Sequence, residues 1–139
     1  MSLDIHFFKK DVDFNQMRRQ IDELYNQRRV IGEELERLED DYEDAKLASH
    51  NVTHNLNKMA EAVGLYEILW RPEEIGITSA TQMIAPLEIA IKEFESSPDK
   101  YKVYNPLNGW GNYNIFVSFC KSVLRTCQEN PDAVIEAGR

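Results

Sequence analysis

Nine positions early in the chain, Met17, Ile21, Leu24, Arg28, Ile31, Leu35, Leu38, Tyr42 and Ala45, recur alternately four and three residues apart. Only Arg28 among them is charged. This is the spacing of a two-stranded coiled-coil core. The segment lacks proline and consists mostly of good helix formers, so the pattern predicts one helix over residues 14–48, ~50 Å long at ~1.5 Å per residue. One helix cannot bury such a seam alone. Either another segment or another copy of the chain must cover it.

Charge along this helix suggests an orientation. Arg18, Arg19, Arg28 and Arg29 dominate its first half, whereas Glu33, Glu34, Glu36, Glu39, Asp40, Asp41, Glu43 and Asp44 oppose only Arg37 in the second. An antiparallel pairing sets basic against acidic and stacks Met17 on Tyr42, Ile21 on Leu38 and Leu24 on Leu35. The same register arises if one chain turns back near Gly32 as a helical hairpin. A single glycine costs a helix only ~1 kcal/mol, and the seam keeps its phase across Gly32. The sequence therefore favours a continuous helix and an antiparallel homodimer through Met17, Ile21, Leu24, Arg28, Ile31, Leu35, Leu38 and Tyr42. The hairpin is its closed counterpart, related to it by swapping.

Outside the seam the pattern changes period. Leu3, Ile5 and Phe7 alternate with polar residues, which predicts a strand within residues 1–10. Ser49 to Thr53 is a polar interruption. A second helix follows to Trp70, where Arg71-Pro72 ends it. A third spans Thr78 or Ser79 to Ser96, with Pro86 expected to kink or split it. A short helix over Pro98–Tyr104, a turn-rich loop from Asn105 to Asn112, a helix over Tyr113–Glu129 and a strand over Ala133–Ala137 complete the chain. The expected fold is mainly α, a single domain over 1–139. It joins the long coiled-coil helix to a compact helical region (49–139), with a two-stranded antiparallel ribbon of the terminal strands. In a dimer this ribbon would pair strands of different copies.

Composition narrows the partners. The net charge of −8 over 139 residues disfavours binding to nucleic acid or anionic lipid. No run approaches the ~20 apolar residues of a membrane span, and the first residues do not have the form of a secretory leader. Cys120 and Cys127 lie two helical turns apart, ~10 Å, too far for a disulfide. As core thiols they point to a reducing, cytoplasmic setting.

Three segments carry a resemblance: Asn51-Val-Thr-His-Asn-Leu-Asn-Lys-Met-Ala60, Leu69-Trp-Arg-Pro-Glu-Glu-Ile-Gly-Ile77 and Asn105-Pro-Leu-Asn-Gly-Trp-Gly-Asn-Tyr113. With Asn130-Pro-Asp-Ala133 and the last strand they span residues 51–139. This region resembles a family of small uncharacterised bacterial and phage-associated proteins. In that family a strand like Leu3–Phe8 leads almost directly into the Thr-His-Asn segment, so the resemblance implies that the charged helix is an insertion. It implies a fold and no reaction.

Candidate chemistry gathers in those segments. His54 and Asn55 open the second helix, and His50 lies four residues earlier, the spacing of a helical zinc pair but without a third ligand. No metal or cofactor is expected. Arg71, beside Trp70 and Glu74, could grip a carboxylate or close a structural corner. In Gly109-Trp110-Gly111 the glycines permit positive φ and can hold an indole in place, while Asn108 can close a turn on its own backbone. His54, Asn55, Arg71, Asn108 and Trp110 are thus the candidate ligand- or partner-binding residues. No catalytic residue is expected, since no nucleophile–base pair or carboxylate pair can be argued. The expected function is that of an oligomeric interaction protein, and the resemblance implies a phage- or prophage-linked accessory role. Alternatives are an immunity- or inhibitor-type protein with an acidic surface, and a small-ligand-binding or enzymatic domain built on His54, Arg71 and Trp110.

Overall fold

The computed structural model describes residues 1–26 and 32–139. Strand β1 (Ser2–Phe8) leads into helices α1 (Phe14–Asn26) and α2 (Gly32–Ala45), then strand β2 (Lys46–Thr53). A 3₁₀ turn (His54–Leu56), α3 (Asn57–Val63) and α4 (Tyr66–Trp70) follow. After a second 3₁₀ turn (Pro72–Ile75) come α5 (Thr81–Ser96), α6 (Pro98–Lys102), α7 (Tyr113–Glu129) and strand β3 (Val134–Gly138). The strands form an antiparallel sheet of order β2-β1-β3. α5 continues unbroken through Pro86.

The mainly α expectation, with a long coiled-coil helix and a two-stranded ribbon, is corrected: the fold mixes α and β. The terminal strands β1 and β3 do pair, with Phe7 opposite Ile135, but β1 also pairs with β2, a strand the sequence pattern did not reveal. That pairing decides the fate of the seam. Phe8 stands opposite Lys46, so the segment between them must begin and end within about 5 Å. A straight 35-residue helix, ~50 Å from end to end, cannot meet this condition. Two antiparallel helices can.

The seam accordingly closes on itself. Arg18 Nη2 donates to Tyr42 Oη at 3.1 Å, and Tyr25 Oη donates to Glu39 Oε1 at 2.8 Å. Ile21 shares a groove with Glu39 and Tyr42, and Leu24 shares one with Leu38. Leu35 is buried; Met17, Ile21, Leu24, Leu38 and Tyr42 are half-buried. The antiparallel orientation thus arises within one chain rather than between two. Arg28 and Ile31 lie outside the described residues. The helical pair forms an arm inserted between two neighbouring strands.

The sheet has two different faces. Leu3, Ile5 and Phe7 are fully buried on the inner one, with Val52 and Ile135. α7 packs beneath it, and α5 packs on α7. Phe116 meets Trp70, Phe94 and Phe119 in this core. The outer face carries a polar ladder, in which Asn51 Nδ2 donates to Asp4 Oδ1 (2.5 Å) and His6 Nδ1 bonds Ser49 Oγ (2.8 Å). The arm rests on this face at Phe8, which is fully buried although it faces away from the core. Phe14 stacks on it at 4.9 Å and Tyr42 covers it at 5.4 Å. Arg18 pairs with Glu136, which is itself buried.

Two buried groups fix chemical properties. Burial pushes the Cys127 thiol up to about 12 and the Cys120 thiol higher still, so neither is a thiolate near neutrality. His50 lies on the inner sheet face, its Nε2 bonded to Thr126 Oγ1 at 2.8 Å, edge-on to Phe7 and Phe119. Burial lowers its pKa, and burial followed by Lys46 lowers that of His6. The unfolded chain protonates both near ~6.5, so acid favours unfolding. Stability is expected to fall as the pH drops below ~6.5. Glu73 and Glu93, whose pKa values are lowered, lose their contribution only below the ordinary carboxylate value of 4.5. Urea midpoints at neutral and mildly acid pH measure the loss. His50→Gln should shrink it, and an unchanged difference would assign it elsewhere.

Candidate functional site

β2 ends at Thr53, whose extended backbone and side chain start the 3₁₀ turn: Thr53 Oγ1 accepts from the Asn55 amide at 3.3 Å and from Asn55 Nδ2 at 3.1 Å. This caps the turn in the way hydroxyl side chains cap helices. His54 is set by a second contact. Trp70 Nε1 donates to His54 Nδ1 at 2.9 Å. Indole N–H is only a donor, so Nδ1 is the lone-pair nitrogen, and the neutral ring carries its proton on Nε2. Trp70 is itself buried and stacked on Tyr66.

The Asn-rich loop comes to the same place. Asn105 Oδ1 accepts from the Tyr113 amide (2.7 Å), Asn108 Oδ1 from the Trp110 amide (2.9 Å) and Asn112 Oδ1 from the Ile115 amide (2.9 Å), which caps α7. Asn108 Nδ2 reaches Asn55 Oδ1 at 3.4 Å. Gly111, at φ +92°, lies so close to the end of β2 that a Cβ there would stand 2.8 Å from Thr53 Cγ2 and 3.1 Å from Leu56. A side chain at this position would push the loop away from the sheet.

Between these two walls is an open cleft of about 660 Å³, lined by His54, Asn55, Asn57 and Lys58 on one side and Val103 to Leu107 on the other. Residues 103–115, which supply one wall, expose several apolar side chains. Val103 is 76% exposed, Leu107 105% and Trp110 70%; Tyr104 and Ile115 are also exposed. Among the described residues, the cleft's lining holds no carboxylate and no thiol. Among the described residues, no group of three or more His, Cys, Asp or Glu side chains is gathered to hold a metal ion.

The five candidate residues are divided. His54, Asn55 and Asn108 come together at the cleft, and Trp110 projects from the same loop. Arg71 does not join them. Its Nη1 donates to Glu74 Oε2 (2.9 Å) and its Nε to Tyr66 Oη (3.3 Å), and these bonds, Glu74 first, raise its pKa. Helical i, i+4 spacing does not apply to His50 and His54, because His50 lies in a strand and bonds Thr126. Sequence reasoning missed Val103, Tyr104 and Leu107. Val103 and Tyr104 were assigned to the short helix over Pro98–Tyr104, which ends at Lys102, and Leu107 stands among turn formers.

Comparison with protein-family models, with curated proteins and with solved structures finds no match to this chain. Among the described residues, no helix is long and apolar enough to cross a membrane.

Proposed function

We propose that this chain is an interaction protein without catalysis of its own, and that it binds a protein partner through the cleft and the 103–115 surface. The supporting observation is the exposure of Val103, Leu107 and Trp110 on a backbone held by three asparagine side chains. Each such side chain, if buried, is worth about 1.5–3 kcal/mol. A fixed loop sacrifices little further entropy on binding. His54, Asn57 and Lys58 supply polar groups beside the apolar centre, the usual arrangement of a protein interface. A cytoplasmic setting fits the two free buried thiols, and a phage- or prophage-linked accessory role rests on the resemblance of residues 51–139.

One observation favours a second reading, an inhibitor-type contact through the arm. Among the described residues, ion pairs engage only Glu43 of the eight acids on α2. The two readings separate by cross-linking. A photoreactive residue at Val103 is expected to capture a partner in cells of the source organism, and Leu107→Lys/Trp110→Ala to abolish that capture. Both replaced side chains are exposed, so the change in stability should stay within about 0.5 kcal/mol. Capture only from a probe at Asp40, or capture at Val103 that survives the double substitution, contradicts the cleft reading.

A further inference from the structure

The two edges of the sheet are treated differently. Beside β3, Ala80 N donates to Ala133 O at 2.9 Å and Ile135 N to Thr78 O at 3.2 Å, and Ser79 bridges Val134. Along β2 nothing comparable occurs. Among the described residues, no backbone amide or carbonyl of residues 47–52 bonds to any segment except β1. Roughly half of a strand's backbone groups point away from its neighbour, so β2 offers an unpaired row ~25 Å long.

Exposed edges are normally blunted by charge, proline or a bulge. Leu47 to Thr53 contains neither charge nor proline, and the one irregularity of the β1–β2 ladder lies at its Lys46 end. The layer beneath this edge is also unfinished. Ala48 and His50 face inward yet are only half-buried, whereas their β1 neighbours Phe7 and Ile5 are fully buried.

We infer that β2 pairs antiparallel with β2 of a second copy, about a two-fold axis through His50, making one six-stranded sheet. Side chains directly opposite each other must lie on the same face, so a two-fold pairing centres on a residue. Centred on His50, Ala48 meets the partner's Val52, Ser49 meets the partner's Asn51 and Leu47 meets the partner's Thr53. Centred one residue earlier, Leu47 would face asparagine and Lys46 would face valine. Cross-strand matching favours the first register.

Charge selects the second copy's orientation as well. α2 joins β2 at Lys46, so antiparallel pairing separates the bases of the two acidic arms by eight residues of strand, ~26 Å. That is well beyond the ~8 Å screening length at physiological salt. A net charge of −8 per chain therefore does not oppose this contact, while parallel pairing would set the arms side by side.

Sedimentation of the full chain across the micromolar range, with amide exchange at both ends of that range, tests the inference. The mass is expected to rise from 16.2 kDa towards twice that value, with alternate amides of residues 47–53 slowing in parallel. Leu47→Lys/Ser49→Lys should weaken association at least about tenfold, ~1.4 kcal/mol. If that variant loses its folded circular dichroism, the exchange data on the unsubstituted chain decide. A mass fixed at the monomer value, or a dimer whose 47–53 amides exchange as they do in dilute solution, overturns it.

Discussion

Phe8→Ala is expected to cost about 3–5 kcal/mol, the usual range for removing a fully buried phenylalanine. That is a large part of the ~5–15 kcal/mol that holds a domain together. Its particular effect should fall on the arm. Phe8 lies on the outer face of β1, and Phe14 and Tyr42 from the two arm helices close over it. Phe7 is equally buried but faces the core. Both alanine variants should therefore lose similar stability in urea. Only Phe8→Ala should let amides of α1 and α2 exchange much faster than those of α5 and α7. If the helices of the arm are no more labile in Phe8→Ala than in Phe7→Ala, Phe8 is not their anchor.

Gly111→Ala is expected to dislodge the Asn-rich loop, with a cost of about 2–5 kcal/mol. Two penalties act together. A left-handed backbone costs an L-residue ~1–2 kcal/mol, and φ at Gly111 is +92°. The new methyl also meets Thr53 Cγ2 at 2.8 Å, and overpacking of this kind costs ~1–3 kcal/mol. Gly109, at φ +76° with open space around its missing Cβ, should bear only the first penalty. A lower unfolding midpoint for Gly111→Ala than for Gly109→Ala checks the contact, and the Asn108–Asn55 bond should be lost only in the former. Equal midpoints would mean that the loop gives way at no cost. In the reading proposed above, Gly111→Ala should also weaken partner capture at Val103.

Much of the helical region was legible because its signals are local. The helix expected over Tyr113–Glu129 is α7, and α4 ends at Trp70, where Arg71-Pro72 was expected to stop it. Part of the site was legible for the same reason. Asn105, Asn108 and Asn112 do what asparagine does in turns, bonding the backbone two to eight residues onward. The failures have another character. β2 was overlooked because its inward positions are Ala48, His50 and Val52, only one of them a strong apolar strand former. Arg71 was chosen as a group that could grip a carboxylate, but the carboxylate it holds is that of Glu74 in its own segment, while the neighbouring Trp70 indole bonds His54.

By itself, the sequence determined the apolar faces and the stop at Arg71-Pro72, which depend on residues a few positions apart, but not every break: α5 passes through Pro86, and the long helix is divided into α1 and α2. It also determined that the seam needs an antiparallel cover, because apolar spacing and charge are both properties of the segment alone. Which segment supplies that cover was decided by the tertiary structure. Pairing of Phe8 with Lys46 brings the ends of the arm together, and closing a helical hairpin within one chain avoids the translational and rotational entropy lost in recruiting another molecule. The place of the cleft was decided the same way. Residues 54–58 and 103–107 are some fifty positions apart, and only the packing of the Gly111 loop against Thr53 and Leu56 makes them neighbours.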